Sequence, residues 1–323
     1  MKSSGIGGQA VLEGIMMKNG AKYAVAVRKP DQEIALDIQE YPGMTKGRRW
    51  MEVPFLRGIF RFVDSLVLGM KCLTFSASFY EEEEETSEGK KSFLERHLSA
   101  EQLDKLMMTI AVVAAIALSI GIFMVLPVAV ANLFRRWTAS PFLIALLEGV
   151  IRMAIFIAYV ALIALMKDIK RTYMYHGAEH KCINCIEHGL PLTVENVRKS
   201  SKEHKRCGTS FLLLVMLISI LVFMFIRIDH IGLRMLSRVL LVPFIAGAAY
   251  EFIRLAGSSE NCIVNILSRP GLWLQGLTTK EPEDDMIEVA IKAVEAVFDW
   301  KEYEEREFGL TFPEDSLAAE AKP

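Results

Sequence analysis

The chain has 323 residues, 52% of them hydrophobic, and a formal net charge of -2 from 37 basic and 39 acidic side chains. A mean hydropathy of +0.29 is too apolar for an ordinary soluble domain, and the length suits a membrane bundle with a soluble part. The near balance of charge leaves no broad basic footprint, so nucleic acid is not an expected partner.

Residues 1–53 read as a cytoplasmic N-terminal segment. The opening "MKSSGIGGQAVLEGIMMKNG" has no continuous apolar stretch of the secretory kind, because Glu13 and glycines interrupt it, so no cleaved signal is expected. It also lacks the Lys-Ser/Thr of a P-loop, which argues against a nucleotide site. Residues 22–40, "KYAVAVRKPDQEIALDIQE", alternate apolar and polar on both sides of "KPDQ", the pattern of a β-hairpin. Residues 54–80 follow as an amphipathic interfacial helix. Pro54 suits its first turn, and Arg57, Arg61, Asp64 and Lys71 share one face, too many charges for a simple lipid-facing crossing. Residues 81–105, with "EEEEETSEGKK", read as a charged, solvated linker.

Four apolar stretches come next, roughly 106–131, 141–166, 210–226 and 237–256, each near the ~20 residues a helix needs to cross the hydrocarbon core. They group as two pairs, in 106–166 and 210–256. No internal repeat is apparent, which argues against an inverted-repeat transporter. Glu148 and Arg152, one turn apart in the second stretch, read as a structural pair. The intervening segment 167–209 is the richest in Lys and Arg, whereas the loop after the first stretch has Arg135 and Arg136 and that after the third has Arg227, Arg234 and Arg238. The positive-inside rule then predicts a multi-pass protein of the cell membrane with 167–209 and both termini in the cytoplasm. Residues 257–323 complete the chain as a cytoplasmic segment with an amphipathic helix: Pro282 suits its first turn, and Met286, Ala290, Val294, Val297 and Phe298 form one side. The expected fold is mainly α, a polytopic helical membrane bundle of about four spans with a small cytoplasmic α+β portion from the N-terminal hairpin and the C-terminal helix.

The chemistry-bearing stretch is "TYMYHGAEHKCINC", residues 172–185. The pattern predicts that the helix of the second span continues through it and ends near Gly189, with Pro191 beyond. His176 and His180 then lie one turn apart on one face, a spacing that chelates one Zn²⁺, and Glu179 beside them suits a general base, as in the H-x-x-E-H inverted zincin pattern. A second cluster, "EHKRCGTS", brings His204 and Cys207 to the start of the third span, on the same predicted side of the membrane. The same region offers a competing arrangement, Cys182-x2-Cys185 with His204-x2-Cys207, which has zinc-ribbon spacing and would make a closed structural site. Five cysteines, Cys72, Cys182, Cys185, Cys207 and Cys262, fit thiols or ligands better than a disulfide framework.

An inverted zincin needs a downstream acidic ligand. Glu251, an ionisable residue within the last span, is the candidate, with a bundle ion pair to Arg152 or Arg254 as the alternative. A straight continuation of the second span would carry His176 roughly 15 Å beyond the membrane edge, so contact with Glu251 requires a break, for which Gly177 is the natural point.

The stretches "GGQAVLEGIMM", "YHGAEHKCINC", "LTVENVRKSSKEHKRCGTSF" and "PGLWLQGLTTKEPEDDMIEVAI" resemble the YqhQ-like family of bacterial membrane proteins, over residues from about 5 to 300. The resemblance implies a metal-dependent enzyme without naming a reaction. It places His176, Glu179 and His180 in the family's H-x-x-E-H motif and His204, Arg206 and Cys207 in its H-x-R-C-G motif. Two readings stay open: a zinc-dependent hydrolase of the membrane surface with Glu179 as base, and a non-catalytic scaffold or biogenesis partner of other membrane proteins, in which the His/Cys cluster is structural or metal-free.

Overall fold

The computed structural model describes residues 2–80, 100–138, 140–226, 228, 230–259 and 261–312. The chain forms two compact units, one of Met1–Tyr80, Ala161–Val215 and Pro243–Pro323, the other of Glu81–Val160 and Met216–Val242. The expected linker lies largely outside the described residues.

The first unit is built on a four-stranded antiparallel meander, β1 (Gly7–Val11), β2 (Gly14–Asn19), β3 (Lys22–Arg28) and β4 (Ile34–Glu40). The predicted hairpin is β3 and β4, paired from Arg28↔Ile34 to Lys22↔Glu40. Strands β1 and β2 escaped the sequence reading because glycines dilute their alternation. They pair from Gly7↔Lys18 to Val11↔Gly14, and the tight turn between them holds Glu13 at φ 48°. Period-2 geometry gives the sheet two buried faces. Ile15, Met17, Ala24 and Ala26 join one core cluster, and Val11, Met16, Tyr23, Val25 and Val27 join another with Leu68 and Cys72.

That second cluster is closed by α1 (Leu56–Ala77). Two of its charged residues are held by neighbouring segments: Asp64 accepts from Tyr41 Oη at 2.9 Å and from the Met44 N–H at 3.1 Å, and Arg57 clasps Glu251; Arg61 and Lys71 are exposed. Val63, Leu66, Val67, Met70 and Leu73 are also exposed and give the helix an outward apolar face.

Among the described residues, four helices are long and apolar enough to cross a membrane: Leu106–Arg136, Pro141–Ile163, Gly208–Phe225 and Gly232–Gly257. The first begins within α2 (Ala100–Ile120) and continues through a π-helical turn at Gly121–Val125, α3 (Leu126–Leu133) and a short 3₁₀ turn. The second is α4 (Pro141–Ile163), in which Glu148 accepts from Arg152 at 2.6 Å and also from Arg238.

The expected continuation of the second span needs correction. Residues 164–166 leave helical geometry, Met166 is extended at ψ 135°, and a new helix, α5, runs over Lys167–Glu187. The break therefore precedes the motif, and α5 passes through Gly177 unbroken. Its end matches expectation, with Gly189 at φ +70° before Pro191. Beyond it come α6 (Val194–Lys199), α7 (Gly208–Phe225), α8 (Ile231–Ser258) and α9 (Cys262–Thr278), the last unpredicted because Pro270 and Gly271 interrupt its pattern. The predicted C-terminal amphipathic helix is α10 (Asp284–Glu295), followed by α11 (Trp300–Phe308). Met286, Ile287, Val289, Ala290, Ala293 and Val294 are fully buried in the first core cluster with the sheet and α5, and the larger of these side chains each contribute about 1.5–3 kcal/mol.

Candidate metal centre

On α5, positions 176, 180, 184 and 187 recur at one helical turn and form a polar strip. Each one grips a neighbouring segment. His176 Nδ1 lies 2.9 Å from the Thr278 carbonyl and His180 Nδ1 lies 2.7 Å from the Lys202 carbonyl. Asn184 Nδ2 donates to the carbonyls of Ser201 and Glu203 at 2.7 and 2.8 Å. Glu187 accepts from the Ser4 N–H at 2.7 Å, Arg206 Nη2 at 2.5 Å and His204 Nε2 at 3.4 Å. Residues 201–206 are thereby lashed along α5, and this delivers Cys207 to the two histidines.

A carbonyl oxygen only accepts, so each imidazole donates from Nδ1, and Nε2 is the nitrogen left to act as a ligand. Outer partners of this kind orient metal-ligating histidines. Cys207 Sγ stands 3.3 Å from His176 Nε2, and the ligand atoms of His176, His180 and Cys207 all lie within 4.8 Å of one another. A tetrahedral Zn²⁺ separates its N and S ligands by ~3.3–3.5 Å, so the three residues fit such an ion after a small contraction. Cys207 immediately precedes α7, and its sulfur also accepts the Thr209 N–H at 3.4 Å.

Gly177 serves this geometry by having no side chain. A Cβ there would lie 2.0 Å from the Lys280 carbonyl oxygen, and the approach is fixed by the Lys280 N–H donating to the Tyr173 carbonyl at 2.9 Å. The Thr278 carbonyl that orients His176 rides on the same segment.

Glu179 is buried. It lines a cavity of about 90 Å³ together with His176, His180, His204 and Cys207. Burial pushes its carboxyl above the usual range, while His176 and the Gly8 N–H pull it down. Gly8 is needed there, since a Cβ would meet Glu179 Cγ at 2.8 Å.

Three groups expected at the site stand apart from this trio. His204 is not in the cluster: its ring lies 5.8 Å from that of His180, and its Nε2 faces Glu187. Burial lowers its pKa, and hydrogen bonds from His204 and Arg206 outweigh burial at Glu187 to hold that carboxyl at about 2. Glu251 is not in it either, because Arg57 takes its two oxygens at 2.6 and 2.5 Å. Arg57 was also not among the partners foreseen for it. The zinc-ribbon set does not assemble: Cys182 packs in the apolar core and Cys185 donates to the Leu190 carbonyl at 3.2 Å.

Sequence reasoning missed Asn184, Glu187 and Gln275. The first two continue the His176–His180 face and were legible by spacing. Gln275 was not: it accepts from the His204 N–H at 2.9 Å and donates to the His204 carbonyl at 2.8 Å and to Ser210 Oγ at 2.7 Å, contacts across long sequence separations.

The family model described as "Protein of unknown function (DUF1385)" matches residues 53–300. The uncharacterized protein YqhQ of Bacillus subtilis (strain 168) is 35% identical over 294 residues, which cover 89% of this chain and 90% of that protein. No solved structure matches the chain. A match over most of the chain to both means that this protein belongs to the DUF1385 family of YqhQ-like proteins.

Proposed function

We propose that this protein is a metal-dependent hydrolase of the membrane surface, with His176, His180 and Cys207 holding a Zn²⁺-like ion and Glu179 as general base. The carrying observation is the three-residue ligand set, each imidazole tied through Nδ1 to a backbone carbonyl, beside a buried carboxyl on the same cavity wall. Three protein ligands leave one position open, as in catalytic rather than structural zinc sites. An ion held there supplies Lewis acidity toward water or a carbonyl or phosphoryl oxygen. The chain's own work is to orient the ligands, exclude bulk water from a small cavity and move one proton. Glu179 takes the proton of the attacking water and returns it to the leaving group, a role suited to a carboxyl raised by burial. The basic segment 167–209 supports a cytoplasmic setting for this centre.

A second reading, a non-catalytic scaffold, draws on the close seating of Glu179 against Gly8 of β1, which gives the side chain a packing task independent of chemistry. Purified protein should carry about one transition-metal ion per chain, lost in His180→Ala. Glu179→Gln should keep the metal and abolish function in complementation of a deletion strain. Metal-free preparations after zinc reconstitution would remove the metal-dependent reading, and a fully functional Glu179→Gln strain would favour the scaffold.

A further inference from the structure

A larger cavity of about 630 Å³ adjoins the small one. The two share Gly8, His176, Glu179, Arg206, Cys207 and Gly208 as a common wall. The outer part of the larger cavity is helical and mostly apolar: Phe62 and Leu66 of α1, Phe211 and Leu212 of the first turn of α7, and Tyr250 and Ile253 near the end of α8. The Phe62 and Phe211 rings meet at 5.4 Å. Both α7 and α8 contain candidate membrane spans, and consecutive crossings put the start of one and the end of the next at the same membrane face. The outward apolar residues of α1 flank the same place. The cavity therefore opens at the bilayer boundary.

Its lip carries an uncommitted cation. Arg57 is bound to Glu251 and Arg206 to Glu187, whereas Arg61, exposed on the cavity edge, makes no ion pair with any described residue. A pocket of this size suits a ligand of several hundred Å³ with few polar groups. An apolar trough, a free guanidinium at its mouth and a polar inner wall match an amphiphile; a soluble anion would leave the apolar lining unused. We infer that this groove admits an anionic, phosphate-headed lipid of the bilayer, its acyl chain along α1, α7 and α8 and its headgroup between Arg61 and the wall of His176, Glu179 and Cys207. That the lipid is also substrate rests on the hydrolase reading above; that it binds does not.

The test uses the full-length protein in phosphatidylcholine nanodiscs doped with phosphatidic acid bearing a diazirine in its acyl chain. Cross-links should fall on the peptides containing Phe62–Leu66 and Phe211–Leu212. Unlabelled phosphatidic acid should compete about fivefold better than phosphatidylcholine, and millimolar inorganic phosphate should not compete. Two substitutions at exposed positions separate the contributions: Ser65→Trp, filling the groove, should abolish these cross-links, and Arg61→Gln should keep them but reduce the headgroup preference to near parity. Unchanged cross-linking in Ser65→Trp, equal competition by the two lipids in the wild type, or displacement by free phosphate would each overturn the inference. His180→Ala should cross-link like the wild type without metal. Groove cross-links in a protein that never binds metal would uphold the lipid site and defeat the hydrolase reading; a metal-loaded protein without groove cross-links would do the reverse.

Discussion

Gly177→Ala tests the closest contact in the candidate centre. In an unconstrained helix interior this substitution stabilises by about 1 kcal/mol, since glycine loses the most backbone freedom on folding. Here the added Cβ would sit 2.0 Å from the Lys280 carbonyl oxygen, more than ~1 Å inside ordinary carbon–oxygen contact. The obstacle is backbone, held by the Lys280 N–H bond to Tyr173 and by the Thr279 N–H bond to Gln275 at 2.7 Å, so residues 278–280 must move away from α5. Overpacking of this kind costs about 1–3 kcal/mol, and the Lys280–Tyr173 bond contributes about 1 kcal/mol more if broken. Less the helical gain, the net loss is about 1–3 kcal/mol. The displaced Thr278 carbonyl also frees the His176 ring, and loss of such an outer partner typically weakens metal affinity about 10–100-fold. Gly276→Ala is the internal control: it lies in α9 with nothing within 4 Å of its Cβ position and should be neutral to stabilising. Thermal unfolding in detergent followed by circular dichroism, with chelator competition for zinc, reads both quantities. A Gly177→Ala protein with wild-type stability and zinc affinity would refute the close seating of residues 278–280 on α5.

Glu304 of α11 is fully buried and neither carboxylate oxygen has a hydrogen-bond partner among the described residues; burial pushes its carboxyl from the model-compound 4.5 up to about 7. The folded state then holds this proton more tightly than the unfolded one. Its contribution to stability is complete below about pH 4.5 and is lost as pH rises through about 7, a change on the order of 2 kcal/mol between pH 5 and 8. Denaturation midpoints at the two pH values should show that difference in the wild type and lack it in Glu304→Gln; equal pH dependence in both would exclude the assignment. Cys182→Ser should retain the metal that Cys207→Ser loses, while costing about 1–2 kcal/mol by placing a hydroxyl in the apolar core; elemental analysis and unfolding decide, and loss of metal in Cys182→Ser would argue for a cysteine-rich clasp. Glu195→Cys, at an exposed position of α6, should react with a membrane-impermeant maleimide only after the cells are opened. Reaction in intact cells would invert the proposed topology.

Membrane character, four apolar helices, the β3–β4 hairpin and the packed face of α10 were legible in the amino-acid sequence alone, because each rests on local periodicity over one element. The His176–His180 pair was legible for the same reason: a one-turn spacing puts both rings on one face wherever the helix lies. Tertiary structure decided what periodicity does not encode. The composition of α1 showed an amphipathic helix without saying which residues turn inward, and only its packing on the sheet and α8 shows that Asp64 is buried and Arg57 is paired with Glu251, while Arg61 and Lys71 of the same stripe stay exposed. Cys182, Cys207, His204 and Glu251 were equivalent candidates by residue type. The choice among them depends on contacts spanning tens to hundreds of residues: Asn184 and Glu187 drawing residues 201–206 along α5, Arg57 capturing Glu251, and the sheet covering Cys182. Spacing specifies which side chains share a helix face, whereas chain crossings and the hydrogen bonds that satisfy buried backbone carbonyls specify which of those faces meet.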